Sequence, residues 1–250
     1  MDLAPGVVTP GWFDLRPIVH RLPWPEVRGR RCLDVATYDG FLAFELERRG
    51  AREVVALDLP NEEDWDWPPE MRATGPERLA ALTGPERGAG FRIAREALGS
   101  LVQRVETSVY DLKPERIGTF DVVVCGSLLL HLQDPLRALE AIRSVCDGLL
   151  VSAETIRLGL SVLHPGRALA ELDGSSELCQ WWVPNAAGHR RMLHAAGFEV
   201  ECATRPYAVP FGPSHPAPPG ARARLRLWPR RLMLGHAGVP HVAVRARPRL

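Results

Sequence analysis

The chain has 250 residues, 46% of them hydrophobic and 24% charged, so it can bury one large core and fits a single α/β domain. Its net charge of +1 argues against a protein held on nucleic acid by its overall field. No apolar run reaches the roughly 18 residues that a membrane helix needs, and residues 1–10 lack a secretory pattern. We therefore expect a cytoplasmic protein with no membrane partner.

The cysteines give no sign of a structural metal or a disulfide framework. There are five, an odd number, and no two form a C-x-x-C pair. Cys32 and Cys125 lie within apolar runs, which is typical of buried, reduced thiols in a cytoplasmic protein. The sequence thus predicts no metal site.

Residues 11–22 place apolar side chains on one helical face, although Pro17 could shorten the helix. We expect this amphipathic helix to dock on the body, with residues 1–28 as an amino-terminal cover. The polar face could simply be solvated. Alternatively, Trp12, Arg16 and His20 line a substrate entrance.

Residues 31–60 carry the most informative pattern. A short apolar run predicts a strand that ends at Val35, helical spacing follows over 41–49, and 54–57 predicts a second buried strand. A strand–helix–strand unit of this kind opens a ligand crevice at the turn after its first strand.

Ala36 and Gly40 frame that turn, and Asp58 ends the second strand, where an acid can bind a ribose diol. Only Gly40 remains of the three glycines in a dinucleotide motif, so a plain crossover without a ligand is the alternative. The methyl group of Ala36 would crowd the closest backbone approach to a cofactor.

A long polar stretch over 61–90 contains Trp65 and Trp67 and predicts a loop that either covers a substrate or is anchored to the body. A short helix stopped by Gly99 comes next. Residues 101–110 then predict a third strand, with Asp111 at its end.

Residues 120–130 predict the fourth strand, which His131 follows directly, and Asp134 with Pro135 opens the next helix. Residues 149–153 predict the fifth strand, followed by Glu154. Because parallel strands present their carboxyl ends at one edge, we expect these side chains to share a rim with Asp58 and Asp111.

Residues 155–188 predict an insertion on the substrate side, which ends in Trp181, Trp182 and Asn185. A helix, a Gly197 stop and a sixth strand follow. The last apolar stretch, at 240–248, predicts an antiparallel edge strand. The Arg-rich residues 222–231 are either a solvated face or an RNA contact.

These motifs together resemble class I methyltransferases that use S-adenosylmethionine (SAM). WFDLRP, LDVATYDGF, DWPP, SVYDL, CGSLLLHLQD and WVPN are similar to the short relatives of the tRNA wobble-uridine 5-oxyacetate methyltransferase family. The tRNA enzyme has a further amino-terminal region and a cationic recognition of carboxylated SAM that Lys113, the only lysine, cannot supply. The resemblance implies ordinary SAM as cofactor and a doubly wound, Rossmann-like, mostly parallel seven-stranded sheet with an antiparallel edge strand.

The resemblance also implies roles for individual residues. The expected cofactor-binding residues are Asp34, Ala36, Thr37, Tyr38, Gly40, Asp58, Leu59, Tyr110, Asp111 and Ser127. The expected substrate contacts are Trp12, Arg16, His20, Trp181, Trp182 and Asn185, and the catalytic candidates are His131 and, in reserve, Glu154.

Three hypotheses about function follow. The first is methyl transfer to a small molecule, at a hydroxyl oxygen, in which the protein positions the reactants and removes a proton. The second is methylation of tRNA or another RNA, served by the Arg-rich segment. The third is a SAM-fold binding protein without transfer activity, which Ala36 motivates.

Overall fold

A computed structural model describes residues 1–83, 88–174, 179–215, 233–235 and 238–249. Twelve strands are found in this part of the chain: β1 Asp2–Ala4, β2 Val7–Val8, β3 Arg31–Val35, β4 Glu53–Asp58, β5 Gln103–Glu106, β6 Phe120–Gly126, β7 Cys146–Thr155, β8 Ala170–Leu172, β9 Trp182–Pro184, β10 Phe198–Ala203, β11 Tyr207–Pro210 and β12 Gly238–Pro248. The α-helices are α1 Phe41–Arg48, α2 Pro69–Arg72, α3 Pro76–Thr83, α4 Ala89–Leu98, α5 Pro114–Ile117, α6 Pro135–Ser144, α7 Leu158–Leu163 and α8 Ala186–Ala195.

The main sheet has the order β10-β12-β7-β6-β3-β4-β5, and β11 pairs with the first part of β12. Strands β7, β6, β3, β4 and β5 are parallel, whereas β12 is antiparallel to both β7 and β10. The predicted Rossmann-like α/β fold is confirmed. The chain order around β3 reverses between β4 and β6, so a ligand crevice is expected at the carboxyl end of β3.

The antiparallel strand does not lie at the edge of the sheet as predicted. Most of β12 is buried, Val242 and Val244 almost completely, so it requires a neighbour on each side. Strand β10 alternates buried and polar residues, which suits an edge position. Its exposed Glu199 pairs with Arg247 across the β10–β12 ladder.

Buried side chains fill both faces of the sheet. The face covered by α6 and α8 includes Leu33, Leu139, Leu150, Leu193 and Phe198. The opposite face, covered by α1, α4 and the amino-terminal segment, includes Ile18, Phe44, Leu46, Phe91 and Val151. With both faces covered, the rim at the carboxyl ends of the parallel strands is the place where polar side chains can meet a ligand.

The predicted amino-terminal helix is wrong. Residues 1–8 form the β1–β2 hairpin, and between 11 and 22 only Val19–Arg21 forms one turn of 3₁₀ helix. Pro17 lacks an amide hydrogen and disfavours a helical conformation in the residue before it, which prevents a longer helix. Ile18 and Leu22 are nevertheless buried, so the segment still covers the body.

The polar stretch after β4 is more ordered than predicted. It contains a 3₁₀ turn at Glu62–Asp64 and the helices α2 and α3, of which α2 begins directly after Pro68. Trp67 and Met71 are buried, and they pack with Leu79 and Cys179 in a third, smaller hydrophobic cluster. The stretch is therefore anchored to the body through its tryptophans.

Two strand ends differ from the predicted bounds in a way that matters for the site. Strand β6 ends at Gly126, where Ser127 adopts a left-handed conformation with φ 52°, and Leu129–His131 forms a 3₁₀ turn. Strand β7 continues to Thr155, so Glu154 lies inside the strand and not after it. Both differences bear on the loop of residues 127–131, because Glu154 of β7 accepts hydrogen bonds from Leu128 N–H and Leu129 N–H.

Candidate active site

The turn that joins β3 to α1 has an unusual backbone. Ala36, Tyr38 and Gly40 all have positive φ angles, of 59°, 50° and 88°. A Cβ atom on Gly40 would lie 2.4 Å from the Phe44 ring, so only glycine fits there. Ala36 occupies a conformation that disfavours a side chain. The predicted tight turn between β3 and α1 thus exists, and Thr37 N–H holds it to β4 by donating to Leu57 O at 2.9 Å.

Asp58 links this turn to the end of β4. Its Oδ2 accepts from Tyr38 N–H and its Oδ1 from Leu59 N–H, each at 2.8 Å. The residue is only 5% exposed. A carboxylate at the end of a parallel strand beside such a turn is the group that can accept from ribose hydroxyls. The chemistry of this donor set fits the expected nucleoside.

Asp34 lies beneath the turn and has a structural role. It is buried, and Thr37 Oγ1–H donates to its Oδ2 at 2.7 Å. Desolvation by burial raises the pKa of Asp34 to about 7, opposed by the Thr37 bond. The side chain therefore braces the turn from below.

The third strand end offers a more exposed acid. Asp111 ends a 3₁₀ turn at Val109–Asp111 and is exposed, as expected for a group that receives a ligand amino group. Tyr110 points the other way: its hydroxyl donates to Asp66 Oδ2 at 2.5 Å and accepts from Asp134 N–H at 3.1 Å. Tyr110 therefore holds the 61–83 stretch to the helix α6.

Glu154 fixes the 127–131 loop from below. Its Oε1 accepts from Leu128 N–H at 3.1 Å and from Leu129 N–H at 3.2 Å. Its Oε2 is buried and has no hydrogen-bond partner among the described residues. Burial raises the pKa of this carboxyl to about 8, so it is mostly protonated at neutral pH. These contacts give Glu154 a positioning role toward the loop.

His131 ends the same loop and is half-buried beside Trp65, their ring centroids 6.4 Å apart. Its Nδ1 lies 2.8 Å from Cys179 O, and since a carbonyl only accepts, the neutral ring carries its hydrogen on Nδ1. Nε2 is then the basic nitrogen, which is the arrangement that proton removal requires.

Asp66 joins three segments around His131. Its carbonyl oxygen accepts from Trp181 Nε1–H at 2.5 Å and from the Cys179 thiol at 3.3 Å, while its Oδ2 accepts from Gln133 N–H at 2.7 Å. The 61–83 stretch, the 131–133 segment and the 179–182 segment therefore enclose one side of the candidate site. The role of Trp181 as a substrate contact remains a prediction, because its indole N–H is used in this closure.

Several predicted substrate residues have structural partners. Arg16 pairs with Asp2 and Asp14, both at 2.7 Å, and His20 and Trp12 are exposed. Asn185 is fully buried as the N-cap of α8, accepting from Gly188 N–H at 2.7 Å and Leu169 N–H at 3.1 Å. Its amide N–H groups bond three carbonyls, so Asn185 stabilises the insertion and does not face a substrate.

The sequence interpretation missed Asp66, Cys179 and His241. Asp66 was one acid among several in a polar stretch, and Cys179 lies far from it in sequence. His241 stands alone in the apolar run of β12, yet its Nε2 lies 2.9 Å from Ser127 Oγ at the rim. A single polar residue at the rim end of an apolar strand was the only available signal.

Comparison with known proteins places the chain in a family. Residues 14–203 match a family model described as a methyltransferase domain, which is more than half of the chain. The chain therefore belongs to this methyltransferase domain family. It carries a methyltransferase domain, and proteins of this fold include one solved with bound S-adenosylhomocysteine. No helix within the described residues has the length and apolarity to cross a membrane.

Among relatives of known function, the chain is similar to O-methyltransferases. A ubiquinone biosynthesis O-methyltransferase of Paracidovorax citrulli is 31% identical over 142 residues, covering 52% of this chain and 50% of that protein. The protein of the same name from Xanthomonas euvesicatoria is 32% identical over 120 residues, covering 48% and 40%. The matched region spans about half or less of the length of these relatives.

Solved structures support the fold alone. A SAM-dependent methyltransferase of Mesorhizobium loti aligns with a TM-score of 0.52 at 17% identity, covering 93% of this chain and 97% of that one. A Burkholderia thailandensis 1,6-didemethyltoxoflavin-N1-methyltransferase, solved with its substrate and S-adenosylhomocysteine, aligns with a TM-score of 0.50 at 17% identity, covering 89% and 72%.

Proposed function

We propose that this enzyme transfers the SAM methyl group to a hydroxyl oxygen of a small molecule. The observation that carries the proposal is His131, a rim histidine whose Nδ1 hydrogen bond to Cys179 O leaves Nε2 as a base. Methylation of a hydroxyl requires loss of a proton, and an imidazole is well matched to that task near neutral pH. The names of the O-methyltransferase relatives support the same reaction type.

SAM would be held by Asp58 at the ribose, by Asp111 at the adenine and by the turn at 36–40, with Leu59 beside it. When bound, it supplies an electrophilic methyl group on its sulfonium. The residues of this chain then position the acceptor oxygen, exclude water with the tryptophans of the 61–83 and 179–182 segments, and take up the proton at His131 Nε2. Glu154 supports His131 through the 127–131 loop, and because its carboxyl is mostly protonated at neutral pH we propose it as a positioning residue and not as the reserve proton acceptor.

RNA is the alternative acceptor. It follows from the finer resemblance to short relatives of the tRNA wobble-uridine family, and the Arg-rich 222–231 segment that would serve it lies outside the described residues. The neutral overall charge and the small-molecule names of the relatives favour the first proposal. Residues 1–28 as a cover and 155–188 as a substrate-side insertion belong to the same proposal.

The test combines an acceptor panel with one variant. We expect S-adenosylhomocysteine to form with a hydroxyl probe such as catechol or 4-hydroxybenzoate and not with unmodified tRNA. His131→Ala should then leave SAM affinity nearly unchanged and lower turnover by roughly 10²–10⁴-fold. His194→Ala, on the exposed side of α8, is the matched control and should behave as wild type.

Product formed only with tRNA, with binding that weakens steeply as salt rises, would overturn the small-molecule proposal. An active His131→Ala variant would instead remove His131 alone from the mechanism.

A further inference from the structure

Ser127, His241 and Thr155 form a polar group at the rim, where the ends of β6, β7 and the first part of β12 meet. His241 Nε2 lies 2.9 Å from Ser127 Oγ and 3.1 Å from Thr155 Oγ1. His241 is only 4% exposed, whereas Ser127 is exposed. The group therefore connects a buried imidazole to a hydroxyl at the surface of the candidate site.

The hydrogen positions in this group follow from one contact. His241 Nδ1 lies 2.9 Å from Val239 O, and a carbonyl only accepts, so the ring hydrogen is on Nδ1. Burial lowers the pKa of His241 to about 4, which keeps the ring neutral at physiological pH. Tyr207 packs against the ring at a centroid distance of 6.1 Å and excludes water from that side. Nε2 is thus a hydrogen-bond acceptor.

Ser127 Oγ and Thr155 Oγ1 both lie near Nε2, and we assign the bond to Ser127, whose contact is the shorter, so that its hydroxyl donates inward. Its oxygen lone pairs then face outward, so Ser127 presents a hydrogen-bond acceptor to the site. The backbone fixes its place, because Ser127 N–H donates to Ala153 O at 2.8 Å although the residue has a left-handed φ of 52°. A serine held in this conformation costs more than glycine would, and the turn itself does not require a hydroxyl.

We propose that Ser127, oriented by His241, accepts a hydrogen bond from a second hydroxyl group of the methyl acceptor, next to the reacting one, and so positions the reacting oxygen for methylation. The proton of the reacting oxygen itself goes to His131 Nε2. This inference rests on the proposed function and adds a selectivity to it: the site favours acceptors that carry a hydrogen-bond donor beside the reacting hydroxyl. His241 acts only through Ser127, as a positioning residue. The ammonium group of SAM is another hydrogen-bond donor, and the experiment distinguishes the two sources.

The central variant is Ser127→Gly, because glycine relieves the left-handed strain while the small hydroxymethyl side chain is removed. With catechol as the acceptor we expect kcat/KM to fall about ten- to a hundredfold, since a misoriented acceptor loses rate. Affinity for S-adenosylhomocysteine in calorimetry should stay unchanged. Ser144→Gly, which removes an exposed hydroxyl at the end of α6, is the matched control and should keep wild-type kinetics.

A second readout needs neither substrate nor cofactor. Nuclear magnetic resonance of the ring nitrogens should show His241 neutral and protonated on Nδ1 at pH 7, with an Nε2 signal that moves in Ser127→Gly and not in Ser144→Gly. A charged His241 at pH 7 would overturn the inference, because Ser127 would then direct its hydrogen outward.

Near wild-type turnover of Ser127→Gly would also overturn the inference. A loss of S-adenosylhomocysteine affinity in this variant would overturn it too, because Ser127 would then bind the cofactor and not the acceptor. These failures differ from failure of the proposed function, in which the wild-type enzyme itself forms no O-methylated product.

Discussion

At the scale of single residues, Ala36 is the clearest departure from an unstrained cofactor turn. Its φ of 59° costs about 1–2 kcal/mol relative to a right-handed conformation, whereas glycine adopts it freely. Ala36→Gly should therefore change the free energy of unfolding by less than about 1 kcal/mol. The relief of backbone strain in the folded state is offset by the greater conformational entropy of the unfolded chain. SAM should bind more tightly, since the backbone can approach it more closely.

Calorimetry with SAM and a denaturant titration check this prediction together. Ala141→Gly, in the helix α6, is the control and should lose about 1 kcal/mol of stability with no change in affinity. Equal or weaker SAM binding by Ala36→Gly would contradict the argument from crowding.

Asp58 gives a second prediction at this scale. Asp58→Ala would remove the charge-assisted hydrogen bond that we propose between Asp58 and the ribose, and such a bond is worth roughly 1.5–3 kcal/mol, or ten- to more than a hundredfold in SAM affinity. It also leaves Tyr38 N–H and Leu59 N–H without their acceptor, so the thermal midpoint should fall as well. Glu53→Ala, at the opposite end of β4, provides the comparison and should keep SAM affinity.

At the scale of elements, Asp66 holds the 61–83 stretch over the site. Asp66→Ala removes the acceptor of Tyr110 O–H and Gln133 N–H, so this stretch should open more often. Hydrogen exchange should become faster at residues 61–83 while the thermal midpoint changes little, because the main core is untouched. In Asp64→Ala, where only an exposed contact with Asn61 is lost, exchange should stay at the wild-type rate.

The elements that could be predicted from the sequence are those whose pattern is local. The strand, turn and helix of 31–49 follow from apolar spacing and Gly40, and Asp134 caps α6 by accepting from Arg137 N–H at 3.1 Å. The amino-terminal helix was predicted wrongly because the spacing of apolar residues takes no account of Pro17. The position of β12 depends on which strands need neighbours, and that is a property of the whole sheet.

The same distinction holds within the site. Asp58 could be placed at a strand end from the chain order alone, and the structure puts it there. The third strand is shorter than predicted and ends at Glu106, so Asp111 lies in the 3₁₀ turn that follows it and not at the strand end itself. The contacts of Asp66 with Cys179 and of Ser127 with His241 join residues more than a hundred positions apart. No local pattern encodes such pairs, so they become visible only in three dimensions.

At the scale of the whole molecule, buried carboxyls set the dependence of stability on pH. The pKa of Glu154 is about 8 in the folded protein against an ordinary 4.5. Between these values the folded state binds more protons than the unfolded state, so stability falls as pH rises. The contribution is fully present below about pH 4.5 and is lost by about pH 8. Asp34, whose pKa is raised to about 7, acts in the same direction.

Glu154→Gln keeps a neutral group of the same shape, so its free energy of unfolding should fall less than that of wild type between pH 6.5 and 8. The difference should be on the order of 1–2 kcal/mol. Denaturant titrations across this range measure it, with Glu199→Gln on the exposed edge strand as a control that keeps the wild-type slope. Parallel pH profiles for Glu154→Gln and wild type would refute the assignment.

The interior position of β12 bears on the order in which the chain can fold during synthesis. Strand β7 leaves the ribosome about ninety residues before the strand that pairs with its free edge, and β10 has no partner until β12 arrives. The strands β10, β11 and β12 and the histidine behind Ser127 are therefore completed last. A nascent chain exposes the open side of β7 during this interval, when it is most susceptible to aggregation and to capture by chaperones.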